Sequence, residues 1–308
     1  MKRAAELSRE SGWSEGHAGA LTNLGAMYFT QGLDVEMTRY CERALELYED
    51  RTHSRGAAAN LGNLAVAAYQ AGRLDAAEAY FEEALAIHRR LDNRSGQAKQ
   101  IRGLARIAYV RGDADSAMEE TAHARELARE SGDLLTEAVT VLQLAAIHLG
   151  RGDLKDAARV AQAGWDYNPT NDRAAAEALN LIATAEHAAG NLPAAREKRQ
   201  SGLDYVRRCS APYLESALWI GLAADERRLG DLPAARTAAE HGLELARRHG
   251  FGVREGDARG ELALIAAEGG DLDAARAHAA EAVEKLAATG HLLARRRAEQ
   301  IRAVVSEL

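Results

Sequence analysis

The chain has 308 residues and a net charge of −7, and none of its apolar runs approaches the roughly 20 residues that span a bilayer. A negative balance excludes general affinity for nucleic acid, which rests on neutralising phosphates. Its two cysteines, Cys41 and Cys209, stand too far apart in sequence for a disulfide framework or a CxxC redox pair. With no N-terminal stretch that reads as a signal peptide, a cytoplasmic location is the expectation.

Residues 1–12, MKRAAELSRESG, read as a single helix whose pattern returns at 121–132 as TAHARELARESG. After it, glycines recur at Gly32, Gly72, Gly112, Gly152, Gly190, Gly230 and Gly270, at intervals of forty residues and once of thirty-eight. A fixed period of this length is the mark of a repeat array, in which each unit packs against its neighbours. Eight residues before each glycine stands a Leu or Ile, from Leu24 to Leu262, followed by Gly or Ala. Five residues after it stands Met37 or an alanine such as Ala77, and twelve after it a small residue such as Ala84 or Gly242.

This spacing predicts two antiparallel helices per unit. The glycine ends helix A in backbone angles that other residues resist. Asp113, Asp153, Asn191, Asp231 and Asp271 are placed to cap helix B, and Pro193 and Pro233 fall in its first turn. Small residues at matched heights let the two helices approach closely. The shortened interval before Gly190 falls at the connector Asn168–Asn171. The units expected are 1–12 as a half repeat, then 13–52, 53–92, 93–132, 133–170, 171–210, 211–250 and 251–290. Residues 291–308 form a capping helix, with Arg295, Arg296 and Arg297 on one face.

Catalytic signatures are missing from the sequence. It has no G-x-x-x-x-G-K-[ST] phosphate loop, no H-E-x-x-H and no G-x-S-x-G elbow. The ten histidines are scattered, with none at i+3 or i+4 from another. The expectation is a binding protein rather than an enzyme, with neither cofactor nor metal.

The pattern closely resembles the tetratricopeptide repeat family over nearly the whole chain. Its residues include Leu24-Gly25, Tyr28, Gly32 and Ala44-Leu45 in the first unit, and Leu64-Ala65, Gly72, Ala77, Phe81 and Ala84-Leu85 in the second. Trp219 takes the family's first aromatic position, and Pro169 ends the fourth unit. The forty-residue period is similar to the Pins/LGN adaptors, the kinesin light chains and the C-terminal arms of bacterial signalling ATPases. Met37 replaces the usual alanine, and Glu186 and Glu226 replace the helix A aromatic. The resemblance implies an all-α, right-handed superhelical solenoid whose helices A line a concave, peptide-binding face. On that face it places Asn23, Phe29, Asn63, Tyr69, Lys99, Arg102, Arg106, Tyr109 and Gln143. Asn23 and Asn63 share a register, and an amide there both donates to and accepts from a peptide backbone. Lys99, Arg102 and Arg106 lie at spacings of three and four on one face, suited to an acidic protein or peptide.

The family's carboxylate clamp is not reproduced, since Thr22 and Ala26 stand where a lysine and an asparagine belong. Two binding roles remain open at this point, the sensor arm of a larger bacterial regulator or a free-standing adaptor between two proteins, with a solenoid enzyme whose site has no recognisable motif as a third, less favoured reading. The open face of the N-terminal half repeat also admits self-association.

Overall fold

The computed structural model describes residues 1–31, 33–48 and 52–307, and over these the chain forms helices and no strand. Helix α1 is Lys2–Glu10. Three hairpins follow it: α2 (Ser14–Thr30) with α3 (Asp34–Leu47), α4 (Arg55–Gln70) with α5 (Leu74–Arg90), and α6 (Arg94–Val110) with α7 (Ala114–Glu130). Next come α8 (Leu134–Arg151) with α9 (Leu154–Asp166), and α10 (Asp172–Ala188) with α11 (Leu192–Val206). The last hairpins are α12 (Pro212–Leu229) with α13 (Leu232–His249) and α14 (Gly252–Glu268) with α15 (Leu272–Ala287), before α16 (Leu292–Glu307). Each hairpin packs on the next, and each even-numbered helix from α2 to α12 also touches the one two places on, which makes an all-α repeat solenoid.

The glycine series works as the backbone argument requires. Gly152 and Gly230 end α8 and α12 with φ of 83° and 89°, a region closed to most side chains. Gly32 lies outside the described residues. A second series, not read from the sequence, turns the chain from one hairpin to the next: Gly12, Gly132 and Gly250 have positive φ, and Asp92 does so without being glycine. Asp113, Asp231 and Asp271 each accept the N–H three residues on, so they cap α7, α13 and α15. Asp153 and Asn191 do not cap. The Asp153 carboxylate turns to His148, and the Asn191 amide donates to Glu186.

The seams are built on small side chains. Met37, Ala77, Ala117, Ala157, Ala195, Ala235 and Ala275 have no exposed surface. A Cβ on Gly242 would lie 2.7 Å from Ile220 Cγ1, so α12 and α13 touch there at the limit of packing. The large residue of each seam is less uniform. Leu24 and Leu64 are buried, whereas Leu104, Leu144 and Ile182 keep some surface. Replacing Ala77 with leucine forces three further carbons into the α4–α5 seam and is expected to cost about 1–3 kcal/mol. Chemical denaturation of the variant checks the register: an unchanged midpoint would place Ala77 outside the seam.

The solenoid bends until its last hairpin and α16 meet the second and third hairpins, which the repeat spacing did not predict. The turn at Gly72 approaches the last hairpin so closely that a Cβ there would lie 2.5 Å from Thr289 Cγ2 and 3.6 Å from Val253 Cγ2. Gly252 faces the Ala71 carbonyl, Gly290 packs on Leu74, and Gly112 faces Leu292. Helix α16 touches α6. The concave face predicted from the sequence is therefore the wall of a ring that runs from α4 to α16, and its interior is the lumen. At the N-terminal end, Leu7 and Trp13 are exposed.

Candidate binding lumen

Helices α2, α4, α6, α10, α12, α14 and α16 line the lumen, and they bring together only part of the predicted face. Tyr69 is buried, and the Arg106 guanidinium sits 4.3 Å from its ring centroid, a cation–π contact. Arg102 lies one helical turn before Arg106 on the same face of α6. Phe29 lines a narrow cleft with Gln70, Arg173, Tyr213 and Phe251, side chains from both halves of the ring.

The other predicted residues are placed differently. Lys99 gives its ammonium to Asp133, 3.0 Å away, and so leaves the arginine pair. Burial works to raise the Asp133 carboxyl, but hydrogen bonds from Ser95, Thr136 and Lys99 outweigh it and hold the group well below the usual carboxylate range. Gln143 is buried, and its amide donates to the Arg102 carbonyl and the Thr121 hydroxyl. The Tyr109 hydroxyl donates to the Ala146 carbonyl. Asn63 points its amide at the Cys41 sulfur, 4.0 Å away, while Asn23 is exposed. Cys41 is a core thiol, pushed up to about 11 by burial.

Across the lumen from Arg102 and Arg106 stand Arg173 and Glu177, themselves one turn apart on α10, and Tyr213 at the start of α12. Burial lowers Arg102 to about 10, with repulsion from Arg106 and Arg173 adding to it and Glu177 opposing it. Arg106 is raised: burial works against its charge, but Tyr69, Tyr213 and Glu177 outweigh that loss. Arg102 Nε is buried without a hydrogen-bond partner, and among the described residues no carboxylate pairs with Arg102, Arg106 or Arg173. Tyr213 continues the belt, with Arg254 stacked 4.6 Å from its ring centroid.

The second half of the lumen was only partly anticipated. A cavity of about 330 Å³ opens between α10, α12, α14 and α16, walled by Ile220, Ala298 and Ile301 and rimmed by Arg254, Asp257, Glu261 and Arg297. At its side a buried network crosses three helices. Asp225, with no exposed surface, lies 2.6 Å from His187 Nδ1 and accepts from Arg199 Nε at 2.7 Å. Arg199 also donates to Asn180 at 2.8 Å. Asp257 pairs with both Arg254 and Arg297, and Glu261 with Arg227. A sequence signal existed for two of these groups, since Glu177 and Asp257 repeat the register of Lys99. Arg173 and Tyr213 share a different register, at the first turn of their helices, to which the concave-face pattern gave no weight.

Among the described residues, no group of three or more His, Cys, Asp or Glu is placed to hold a metal. No described helix is long and apolar enough to cross a membrane. The lumen wall carries guanidinium and phenol groups together with the carboxylates Asp257 and Glu261.

Stacked helical hairpins with a lined concave wall define the class as an α-solenoid scaffold. Residues 17–90 match the family model described as tetratricopeptide repeat. No curated protein sequence matches it. Among solved structures, Rap protein complexed with competence and sporulation factor is similar over 96% of this chain and 76% of its own, at 16% identity and a TM-score of 0.63. The Rap conjugation gene regulator of the plasmid pLS20, solved with the Phr* peptide, is similar over 94% and 96%, at 14% identity and a TM-score of 0.60. Cut9, from the APC/C hetero-tetramer Cut9–Hcn1, is similar over 94% of this chain, at 15% identity and a TM-score of 0.58. The present chain spans 48% of Cut9. At these identities the likeness is one of fold.

Proposed function

We propose that the chain is a non-catalytic protein- or peptide-binding scaffold whose lumen receives an acidic segment, and that it serves as the sensing arm of a larger bacterial regulator. The observation that carries this is the unpartnered Arg102. Its Nε is buried without a hydrogen-bond partner, and an anion bound beside it would complete that group. The tyrosines Tyr69 and Tyr213 give neighbouring apolar side chains of the ligand a rigid surface. The two Rap structures, each solved with a bound factor or peptide, support a ligand of that kind in a solenoid of this shape. Lys99, Tyr109 and Gln143 act in this reading through the wall, by tying α6 to α7 and α8.

Fluorescence anisotropy with a labelled acidic peptide tests the reading. Replacing Arg102 and Arg106 together with glutamate removes two charge-assisted contacts and is expected to weaken binding about a hundredfold or more, with helical content unchanged. Unchanged affinity would take the binding site out of the lumen.

A further inference from the structure

We infer that the cavity between α10, α12, α14 and α16 receives an uncharged aromatic side chain with a hydrogen-bond donor at its tip, tyrosine or tryptophan, from the segment bound in the lumen. The inference rests on that lumen-binding reading and deepens it. The space, about 330 Å³, falls within the roughly 300–1,000 Å³ of small-ligand sites, and Ile220, Ala298 and Ile301 wall it. Gly221, Gly256 and Gly260 stand inside helices, where glycine is unfavourable. A Cβ on them would collide with Arg199, Leu286 and Ile301, so the three glycines let those side chains recess against the helix backbones around the cavity.

Charge argues against an ionic ligand at this end of the lumen. Four guanidinium groups, those of Arg199, Arg227, Arg254 and Arg297, pair with four carboxylates, those of Asp225, Asp257, Glu261 and Glu268. A charged group entering this balanced set loses hydration and gains no free counter-charge. One polar position is open. His187 Nδ1 lies 2.6 Å from Asp225, which has no exposed surface and also accepts from Arg199 Nε at 2.7 Å. An ionised carboxylate only accepts, so Nδ1 carries the proton, and Nε2 of the neutral ring carries a lone pair. Nε2 lies on the side of the ring away from Asp225. The side chain is 21% exposed and lines the cavity, and among the described residues nothing bonds to that nitrogen. A neutral acceptor in an apolar space is matched by a donor on an apolar body. Serine and threonine lack the body, and asparagine and glutamine lack the apolar surface, whereas phenol and indole supply both.

NMR titration of the full chain with N-acetyl-tyrosinamide, N-acetyl-phenylalaninamide and N-acetyl-4-carboxyphenylalaninamide tests the inference. The tyrosine amide is expected to bind about fivefold tighter than the phenylalanine amide, which keeps the ring and loses the donor. The carboxylate compound should bind more weakly than either. The His187 Nε2 resonance should shift with the tyrosine amide and hold still with the phenylalanine amide, a readout that needs no variant. His187→Phe should erase the preference. Ala224→Phe, which fills the cavity from a half-buried position on α12, should abolish binding of both amides, with each variant checked for helicity. Equal affinity for the two amides, or binding that survives Ala224→Phe, would overturn it. If acidic peptides bind in the lumen and the tyrosine amide does not bind, the aromatic pocket is wrong and the peptide reading stands. If the tyrosine amide binds with its preference while acidic peptides, tyrosine-bearing or not, fail to bind, the peptide reading falls and the pocket's ligand is a free phenol or indole.

Discussion

Asp225→Ala is expected to destabilise the chain by about 3–5 kcal/mol, the effect of leaving a buried charge without its partner. The Arg199 side chain is 5% exposed, and its Nε donates to a carboxylate that has no exposed surface at all. Removing that carboxylate strands the guanidinium between α10, α11 and α12 and frees the His187 ring held on its other oxygen. The diagnostic is the double variant. Arg199→Met with Asp225→Ala removes both charges and should recover more than half of the loss, because an apolar replacement of a buried pair is close to neutral. Repeat arrays unfold in coupled local units, so hydrogen exchange in α10–α12 should accompany the denaturation midpoint. A double variant no more stable than Asp225→Ala would show that the cost lies in packing and not in the stranded charge.

Acid should loosen the ring at His291, the second large effect. The Ala294 N–H donates to His291 Nδ1 at 3.1 Å, so the imidazole caps α16 only while that nitrogen is unprotonated. Burial lowers the ring to about 4; Asp257 opposes the shift, and Arg254 and Arg297 add to it. The sign follows directly. The unfolded chain, with an ordinary histidine near 6.5, binds this proton more tightly than the folded one, so stability is full above about 6.5 and falls as pH drops toward 4. The whole shift corresponds to about 3 kcal/mol. His291→Asn keeps a capping oxygen without the titration. Its unfolding midpoint should fall less than that of the parent between pH 7 and 4.5, and parallel curves would contradict the assignment. Since Gly290 and Leu292 flank His291 and touch Leu74 and Gly112, the same acidification should weaken the contact that closes the ring.

The repeat architecture was legible because the period reports two local physical facts at once. A glycine with positive φ must stand where helix A ends, and small residues must stand where two helices touch. Both recur every forty residues whatever the partner. Ring closure was illegible for the opposite reason. It accumulates from a small rotation at each repeat and brings Gly72 against Thr289, residues with no local relation in sequence. The candidate site divides along the same line. Arg102, Arg106 and Tyr69 were readable as one face of neighbouring helices, and the structure keeps them together. Arg173, Glu177 and Tyr213 reach them only across the lumen, a contact set by the global bend. Lys99 and Gln143 were readable as lining residues, but Asp133, Thr121 and the Arg102 carbonyl occupy their polar groups. A helical register specifies direction and leaves a side chain's partners unspecified.

The most direct test of the lumen as a binding site is photo-crosslinking. A benzophenone side chain at Phe29 or Tyr213 faces the lumen, and one at Glu83 sits on the outer face of α5. With a bound acidic peptide, adducts are expected from the first two positions and none from the third, and Arg102→Glu with Arg106→Glu should remove them. Adducts from Glu83 alone, or adducts at Phe29 and Tyr213 that persist in the charge-reversed variant, would place the ligand elsewhere on the solenoid.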